Sequence, residues 1–298
     1  MPPDGTPVTR SASLPPDSAV PANIALQLKP GAAYDAQSAQ DVASSQAAPG
    51  SPGACRRTVG TELYNTSGPN ANQPRLNDIR QVSCGDCYFL APLGALAQRN
   101  PNAIKNMIHN GDGTYTVTLY KNNNGIRNLW GLSGNSYKAE QLTVNADAVK
   151  QFTKQEGKVT DPKDCKQVIW PAVIEAAYAK MNGGANVCGG GYRKPALETL
   201  TGHDVQTYSP SNANELNNLK SQFDSGKLIV VSTPKKLPAS NNYDLYSGHS
   251  YTVTNVYTDP ANGKVYVKLN NPWGKDHPGK IPLSELKNVS NEIAVGTP

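Results

Sequence analysis

Apolar residues recur at helical spacing in two long segments of the chain. After Cys87, the string FLAPLGALAQRN places Phe89, Leu93 and Leu96 on one face, and Asp86 stands at the N-cap position. Further on, the string WPAVIEAAYAKMNGG has apolar residues at the same spacing, with a proline in its first turn and a glycine just past its end. Both patterns predict helices.

Other apolar runs are bounded by turn-forming residues and predict strands. These runs lie at 115–120, 125–130, 137–144, 228–232, 250–257 and 264–270. The first two flank the string KNNNG and predict a hairpin, and the last two are joined by DPANG. A helix is predicted over 212–224, and the chain after it is rich in strands. The pattern as a whole indicates an α+β protein with helices first and an antiparallel sheet afterwards.

The N-terminal segment differs from the rest in composition. Residues 1–58 are rich in Ala, Ser, Pro, Thr and Gln, and Tyr34 is their only aromatic residue. Such a segment cannot bury enough apolar surface to offset the entropy lost on ordering. We therefore expect a disordered leader at 1–58, a mainly helical lobe at 59–208 and an antiparallel sheet lobe at 209–298.

Charge and hydropathy narrow the classes of partner. The 28 basic and 23 acidic residues are scattered along the chain, so the net charge of +5 does not indicate a nucleic-acid partner. No run approaches the ~20 apolar residues that span a bilayer, and the N-terminus has no basic-then-apolar signal sequence. We expect a cytoplasmic protein, or one secreted into a host cell by a non-Sec route as bacterial effectors are. The oligomeric state has no sequence signal.

Four polar residues carry the candidate chemistry. Cys87 stands at a predicted helix start, where the peptide dipoles stabilise a thiolate. Gln81 lies six residues upstream in QVSCGDCYFL, close enough to donate to an oxyanion. His249 begins a predicted strand in SGHSYTVTNV, and Asn271 follows the next strand in NNPWG. A sheet could hold the last two side by side.

The strings QVSCGDCYFL, GHSYTVTNV and NNPWG occur in the order Gln, Cys, His, Asn of papain-like cysteine peptidases. They resemble the calpain version of that core, because GDC is followed by an aromatic residue and FLA, and because NPWG has proline after the asparagine. The segment WPAVIEAAYAKMNGG, with LETLTG after it, is similar to the calpain core as well. The resemblance covers roughly residues 77–296.

This resemblance implies a papain-like fold of two lobes and a cysteine endopeptidase that acts on protein or peptide substrates through a thioester. Cys87 would be the nucleophile, His249 its base, and Asn271 the residue that orients that base. The side chain of Gln81 and the backbone N–H of Cys87 would hold the oxyanion. Trp273 would shield the His–Asn hydrogen bond from water.

Calpain cores bind calcium, and the chain departs from their ligand pattern. Asp78 matches a calcium-ligand position, but Asn186 stands where an acidic ligand is expected. After NPWG, the string KDHPGKIPLSELKN replaces an acidic loop. Calcium prefers six to eight oxygens rich in carboxylates, so we expect no metal, no cofactor and activity without calcium.

Further departures surround the nucleophile. Tyr88 replaces a tryptophan, and Pro92 is expected to kink the helix because it removes one backbone hydrogen bond. The five cysteines are an odd number, for which a mostly reduced protein is the simpler interpretation. Cys84 has two alternatives: a reversible disulfide that silences Cys87, or a papain-like brace through another cysteine. Asp86 is expected to support the site, and residues 189–192 to line the cleft.

Two other functions are compatible with these residues. The same set serves other acyl transfers, such as deamidation, transglutamination or removal of a protein modifier. A catalytically inactive binding module on the same fold is the second alternative. The presence of all four polar residues argues against it, because a scaffold gains nothing by keeping them.

Overall fold

A computed structural model of the protein describes residues 55–56, 58–59, 62–66, 71–82, 84–123, 136–153, 158–159, 166–238 and 241–298. The predicted leader lies outside these residues except for its last few positions. The predicted hairpin arm at 125–130 also lies outside them.

The described residues form seven α-helices and three short 3-10 helices. The α-helices are α1 (Cys87–Arg99), α2 (Pro101–Met107), α3 (Ala146–Lys150), α4 (Trp170–Met181), α5 (Arg193–Thr201), α6 (Ala213–Asp224) and α7 (Leu286–Val289). The 3-10 helices are Leu76–Asp78, Ala185–Cys188 and Leu283–Glu285.

The strands of the described part are β1 (Cys55–Arg56), β2 (Thr58–Val59), β3 (Ile108–Asn110), β4 (Thr114–Asn122), β5 (Tyr137–Asn145), β6 (Lys158–Val159), β7 (Lys166–Gln167), β8 (Gln206–Tyr208), β9 (Leu228–Ser232), β10 (Ser250–Thr258), β11 (Val265–Asn270), β12 (Ile281–Pro282) and β13 (Glu292–Gly296). Helices and antiparallel sheets occur together, so the predicted α+β class is confirmed.

The three predicted helices are present as α1, α4 and α6. The side chain of Asn212 caps α6 by accepting from the backbone N–H of Glu215. Asp86 occupies the N-cap position of α1, but its side chain makes no capping hydrogen bond there. Pro92 lies inside α1, and the helix continues unbroken past it to Arg99.

The main sheet has six strands in the order β12-β11-β10-β9-β13-β8, and neighbouring strands are antiparallel throughout. The predicted strands at 228–232, 250–257 and 264–270 are its centre. Strand β8 joins the edge of this sheet by pairing with β13, although it precedes the predicted lobe boundary at 208. A second sheet pairs β4 with β3 and, over nine residues, with β5.

Within the described part of the chain, two hydrophobic clusters form the core. The first joins α1, α4 and α5 to the second sheet and to Leu228, Val230 and Ala294 of the main sheet. The other cluster packs α6 and α7 against the main sheet. Helix α1 lies directly on β10, where the Thr252 hydroxyl donates to the Ala91 carbonyl at 2.7 Å. Gly94 permits this approach, because a Cβ there would lie 2.7 Å from Thr252 Oγ1.

Candidate active site

Cys87 is the first residue of α1 and carries a free thiol; the residue as a whole is partly exposed. Ser250, the first residue of β10, adjoins the sulfur, and its backbone and hydroxyl lower the pKa of the thiol. Because His249 directly precedes Ser250, the packing of α1 on β10 brings the predicted nucleophile to the strand end that carries the predicted base.

His249 and Asn271 are hydrogen-bonded, with His249 Nε2 and Asn271 Oδ1 2.9 Å apart. The asparagine is fixed on every side: its Nδ2 donates to the Asp276 carbonyl, its Oδ1 also accepts from Trp273 N–H, and its backbone N–H donates to His277 Nδ1. With Nδ2 engaged in this way, Oδ1 faces the imidazole and His249 donates from Nε2. The neutral ring then keeps its lone pair on Nδ1.

Aromatic rings enclose this hydrogen bond. The Trp273 ring centroid lies 4.8 Å from that of His249, and the Tyr251 ring stands perpendicular to the imidazole at 4.9 Å. Tyr246 packs on Trp273 at 4.3 Å. His249 is 5 % exposed and Asn271 is 0 % exposed. The rings therefore cover the imidazole–amide contact, and Trp273 is one of the rings beside it.

Burial controls the electrostatics of the site. It raises the pKa of the Cys87 thiol to about 11; the nearby Asp86 charge also raises it, while the Ser250 contacts and the Arg193 guanidinium lower it. Burial likewise lowers the pKa of His249 to about 4, against the opposing effect of Asn271. With no substrate bound, these shifts favour a neutral thiol and a neutral imidazole over an ion pair.

Gln81 lies beside the nucleophile loop and is buried. Its Nε2 donates to the Cys84 carbonyl at 2.7 Å, and its backbone N–H donates to the Pro272 carbonyl at 2.9 Å. Gln81 therefore connects the segment before Cys87 to the turn that holds Asn271. An amide nitrogen has two hydrogens, so one N–H of Gln81 is left after the bond to Cys84.

A disulfide joins Cys84 to Cys188, which is 104 residues further along the chain. The two segments also meet in a β-bridge between Gly85 and Gly189. The interpretation of a mostly reduced protein is wrong for this pair, because folding brings two distant cysteines together. This pairing agrees with the second alternative for Cys84, a disulfide to another cysteine that braces the active-site loop. Cys87 keeps a free thiol.

The glycine-rich segment after Cys188 lies against the start of α1. A Cβ at Gly191 would lie 2.3 Å from the Tyr88 ring, and the Tyr88 hydroxyl donates to the Val187 carbonyl at 3.0 Å. Tyr192 is 73 % exposed. The predicted cleft-lining residues are thus next to the nucleophile loop, with one large aromatic side chain open to solvent.

Asp86 and Glu175 form a buried carboxyl pair behind the nucleophile. Asp86 is 2 % exposed and Glu175, on α4, is 3 % exposed. Their side chains are in hydrogen-bonding contact. Burial raises the pKa of Asp86, and burial together with the Asp86 charge raises the pKa of Glu175. The Asp86 side chain therefore interacts with Glu175 and does not cap α1; a supporting role for Asp86 stays a prediction.

The predicted calcium-ligand position is occupied by protein contacts. Asp78 Oδ2 accepts from the Arg75 backbone N–H at 2.8 Å and from Trp170 Nε1 at 2.9 Å, and Oδ1 forms an ion pair with Arg75. Within the described ranges, no cluster of three or more His, Cys, Asp or Glu side chains is arranged to hold a metal ion. Calcium independence stays a prediction.

Sequence reasoning missed Ser250, Arg193 and Glu175. Arg193 begins α5, forms an ion pair with Glu292 of β13 at 2.7 Å and lowers the pKa of Cys87. Each of the three comes from a different segment of the chain, and Arg193 and Glu175 have no local sequence pattern that marks them. Ser250 alone had a signal, because it follows a predicted site residue on a predicted strand.

None of the described helices combines the length and the apolar character needed to cross a bilayer. The family model "Calpain family cysteine protease" matches residues 61–281.

Among curated relatives, calpain-13 of Rattus norvegicus is 30 % identical over 208 residues, which are 66 % of this chain and 29 % of the relative. Calpain-9 of Homo sapiens is 31 % identical over 212 residues, which are 66 % of this chain and 28 % of the relative. Calpain-B of Drosophila melanogaster is 23 % identical over 225 residues, which are 70 % of this chain and 22 % of the relative. The matched region spans less than a third of the length of these relatives. The family match covers most of the chain, which therefore belongs to the calpain family of cysteine proteases.

Proposed function

We propose that this chain is a calpain-like endopeptidase that hydrolyses peptide bonds in protein substrates, with Cys87 as nucleophile, His249 as base and Asn271 as the residue that orients the base. The observation that carries the proposal is the His249–Asn271 hydrogen bond of 2.9 Å. Ser250, the residue after His249, lowers the pKa of the Cys87 thiol, which supports the presence of the nucleophile beside this pair. Family membership supplies the reaction class.

The first half of the cycle is acylation. Cys87 Sγ attacks the carbonyl carbon of the scissile bond while His249 Nδ1 takes the thiol proton, so that a C–S bond forms and the carbonyl oxygen becomes an oxyanion. Because the resting thiol and imidazole are neutral, this proton transfer accompanies the attack. The backbone N–H of Cys87 and the remaining N–H of Gln81 hold the oxyanion.

The second half releases both products. His249 gives its proton to the leaving amine as the C–N bond breaks, which leaves a thioester on Cys87. Water then attacks the thioester carbon while His249 accepts a proton from that water. The C–S bond breaks, the carboxylic acid product leaves, and His249 returns the proton to the sulfur of Cys87. Asn271 keeps Nε2 occupied throughout, so that Nδ1 remains the nitrogen facing the thiol.

We also infer the two-lobed papain-like arrangement, with substrate bound in a groove between the lobes. Two separate hydrophobic clusters, one around α1 and α4 and the other around the main sheet, support this inference. In this arrangement residues 189–192 line one wall of the groove. The exposed Tyr192 side chain is the first contact we expect a bound peptide to make.

The test is to incubate the protein with a mixed proteome and to sequence the new N-termini by mass spectrometry. Peptide-bond hydrolysis creates new N-termini, whereas deamidation or transglutamination on the same residues changes side-chain amides and creates none. The matched control is Cys87→Ala. New N-termini with the wild-type chain and none with Cys87→Ala support the proposal; N-termini formed equally by both contradict it.

A further inference from the structure

The buried carboxyl pair described above has no cation to balance it. Among the described residues, no lysine, arginine or histidine forms an ion pair with Asp86 or Glu175. Oδ1 of Asp86 and Oε1 of Glu175 are also buried and receive no hydrogen bond. Two buried carboxylates without a counter-ion would repel each other and lack solvation, which is among the most costly arrangements in a protein.

The contact between the two side chains requires a proton. A carboxylate only accepts hydrogen bonds, so two carboxyl groups can be hydrogen-bonded to each other only if one of them carries an O–H. Both carboxyl groups are almost fully enclosed, so no shell of bulk water separates them.

We infer that Asp86 and Glu175 share one proton at neutral pH, and that Glu175 is a positioning residue for the peptidase reaction, because the shared hydrogen bond holds the backbone just before Cys87. This inference rests on the proposed function for its catalytic part. The proton sharing itself is a property of the folded chain and holds with or without catalysis.

The location of the pair gives it influence on the nucleophile. Asp86 is bonded directly to Cys87, and its charge raises the pKa of the thiol. The other titratable groups facing the pair are Tyr88 on α1 and Tyr178 on α4, while Arg193 on α5 acts on Cys87. A shared proton limits the Asp86–Glu175 pair to one negative charge. The Cys87 thiolate is then repelled by one neighbouring negative charge and not by two.

The shared proton is tested by infrared spectroscopy of the full chain near neutral pH. The wild-type protein should show the C=O stretch of a protonated carboxylic acid, and Glu175→Gln should lose that band. Glu198→Gln is the matched control: Glu198 is also buried on a helix but forms an ion pair with Lys194 at 3.4 Å. A protonated-carboxyl band that survives in Glu175→Gln, or that disappears in Glu198→Gln, overturns the inference.

The positioning role is tested by comparing Glu175→Ala with Glu175→Gln. Loss of a buried hydrogen bond to a charged group should lower kcat about tenfold in Glu175→Ala, with KM little changed. Glu175→Gln keeps a donor for Asp86 and should recover most of that loss. Equal kcat values in wild type and Glu175→Ala overturn the positioning role. So does a kcat of Glu175→Gln that is as low as that of Glu175→Ala. Thermal unfolding of each variant verifies that it is folded.

The claim that the Asp86–Glu175 pair carries only one negative charge is tested by alkylating Cys87 with iodoacetamide at a series of pH values. Mass spectrometry of the Cys87 peptide measures the extent of alkylation. Wild type gains a second buried charge when the shared proton leaves, whereas Glu175→Gln cannot. The alkylation profile of Glu175→Gln should therefore lie at lower pH than that of wild type. Superimposed profiles contradict this claim.

These readouts separate the inference from the proposed function. The infrared band does not depend on turnover. If no new N-termini form from a proteome but the band behaves as expected, the proposed function fails and the proton sharing stands. If cleavage occurs and the band is absent, only the inference fails.

Discussion

His249 and Asn271, 22 residues apart in the chain, meet through a hydrogen bond of 2.9 Å. Strands β10 and β11 are antiparallel neighbours, and Thr252 pairs with Asn270 in their register. Antiparallel pairing places the start of one strand beside the end of the next. The two side chains are thus brought together by the sheet and enclosed by the Trp273 and Tyr251 rings.

Replacing the nucleophile should abolish cleavage. We expect Cys87→Ala to lower kcat/KM by about a thousandfold or more, because no other group of the site can form the thioester. The fold should be kept, since the change removes only one sulfur atom and alanine is a good helix former. Cleavage of a protein substrate is the measurement, with circular dichroism as the folding control. Undiminished cleavage would exclude Cys87 as the nucleophile.

Asn271→Ala should lower kcat by about ten- to a hundredfold, because the imidazole loses the hydrogen bond that fixes its orientation and tautomer. Steady-state kinetics on a peptide substrate measure the change. Asn270→Ala is the matched control: it removes the neighbouring amide, whose Nδ2 contacts the Asn271 carbonyl and not the imidazole. Equal losses in both variants would show that the effect is structural.

Loss of the Cys84–Cys188 disulfide should destabilise the protein. The bond closes a loop between residues 104 positions apart, for which the chain-entropy model gives about 5 kcal/mol of unfolding free energy. Denaturant unfolding of the Cys84→Ala/Cys188→Ala variant measures it. We also expect a lower kcat, since the loop before Cys87 loses its brace. Free thiols at both positions in mass mapping of the unreduced wild type would contradict the pairing.

The buried imidazole of His249 should make the free energy of unfolding decrease as the pH falls. Burial lowers the pKa of His249 from 6.5 to about 4, so the unfolded chain binds a proton in this range that the folded chain refuses. The stabilising contribution is therefore complete above pH 6.5 and is lost as the pH falls through about 4, with a total of about 3 kcal/mol.

The measurement is the unfolding free energy of wild type and His249→Gln across that pH interval. Glutamine does not titrate, so the variant should lose less stability on acidification than wild type. Parallel curves for the two proteins would show that His249 is not buried in its neutral form.

Peptidase activity should persist in a calcium chelator. The carboxylate of Asp78 already accepts hydrogen bonds from Arg75 and Trp170, and a cation would have to displace these donors. Cleavage assays in chelator and in added calcium are the measurement, and a well-studied calcium-dependent peptidase serves as the control. Activity that vanishes in chelator and returns with calcium would refute the prediction.

The local pattern was enough to predict the long elements. Helices α1, α4 and α6 show the helical period, and strands β9, β10 and β11 are apolar runs bounded by turn residues; either pattern is a property of neighbouring residues. Strands β8 and β12 were not predicted, because they have three and two residues and are too short to show one. The candidate site residues were also predictable from the sequence, because each lies within a short motif of the papain-like peptidases. These residues are Gln81, Cys87, His249 and Asn271.

The sequence by itself therefore determined the α+β class, the main helices and strands, and the set of residues proposed for catalysis. Only the tertiary structure decided that Cys84 pairs with Cys188, that Asp86 meets Glu175 and not a helix cap, and that Ser250 and Arg193 act on the thiol. These contacts join segments far apart in the chain. Packing creates them, and packing leaves no periodic signal in the residues on either side.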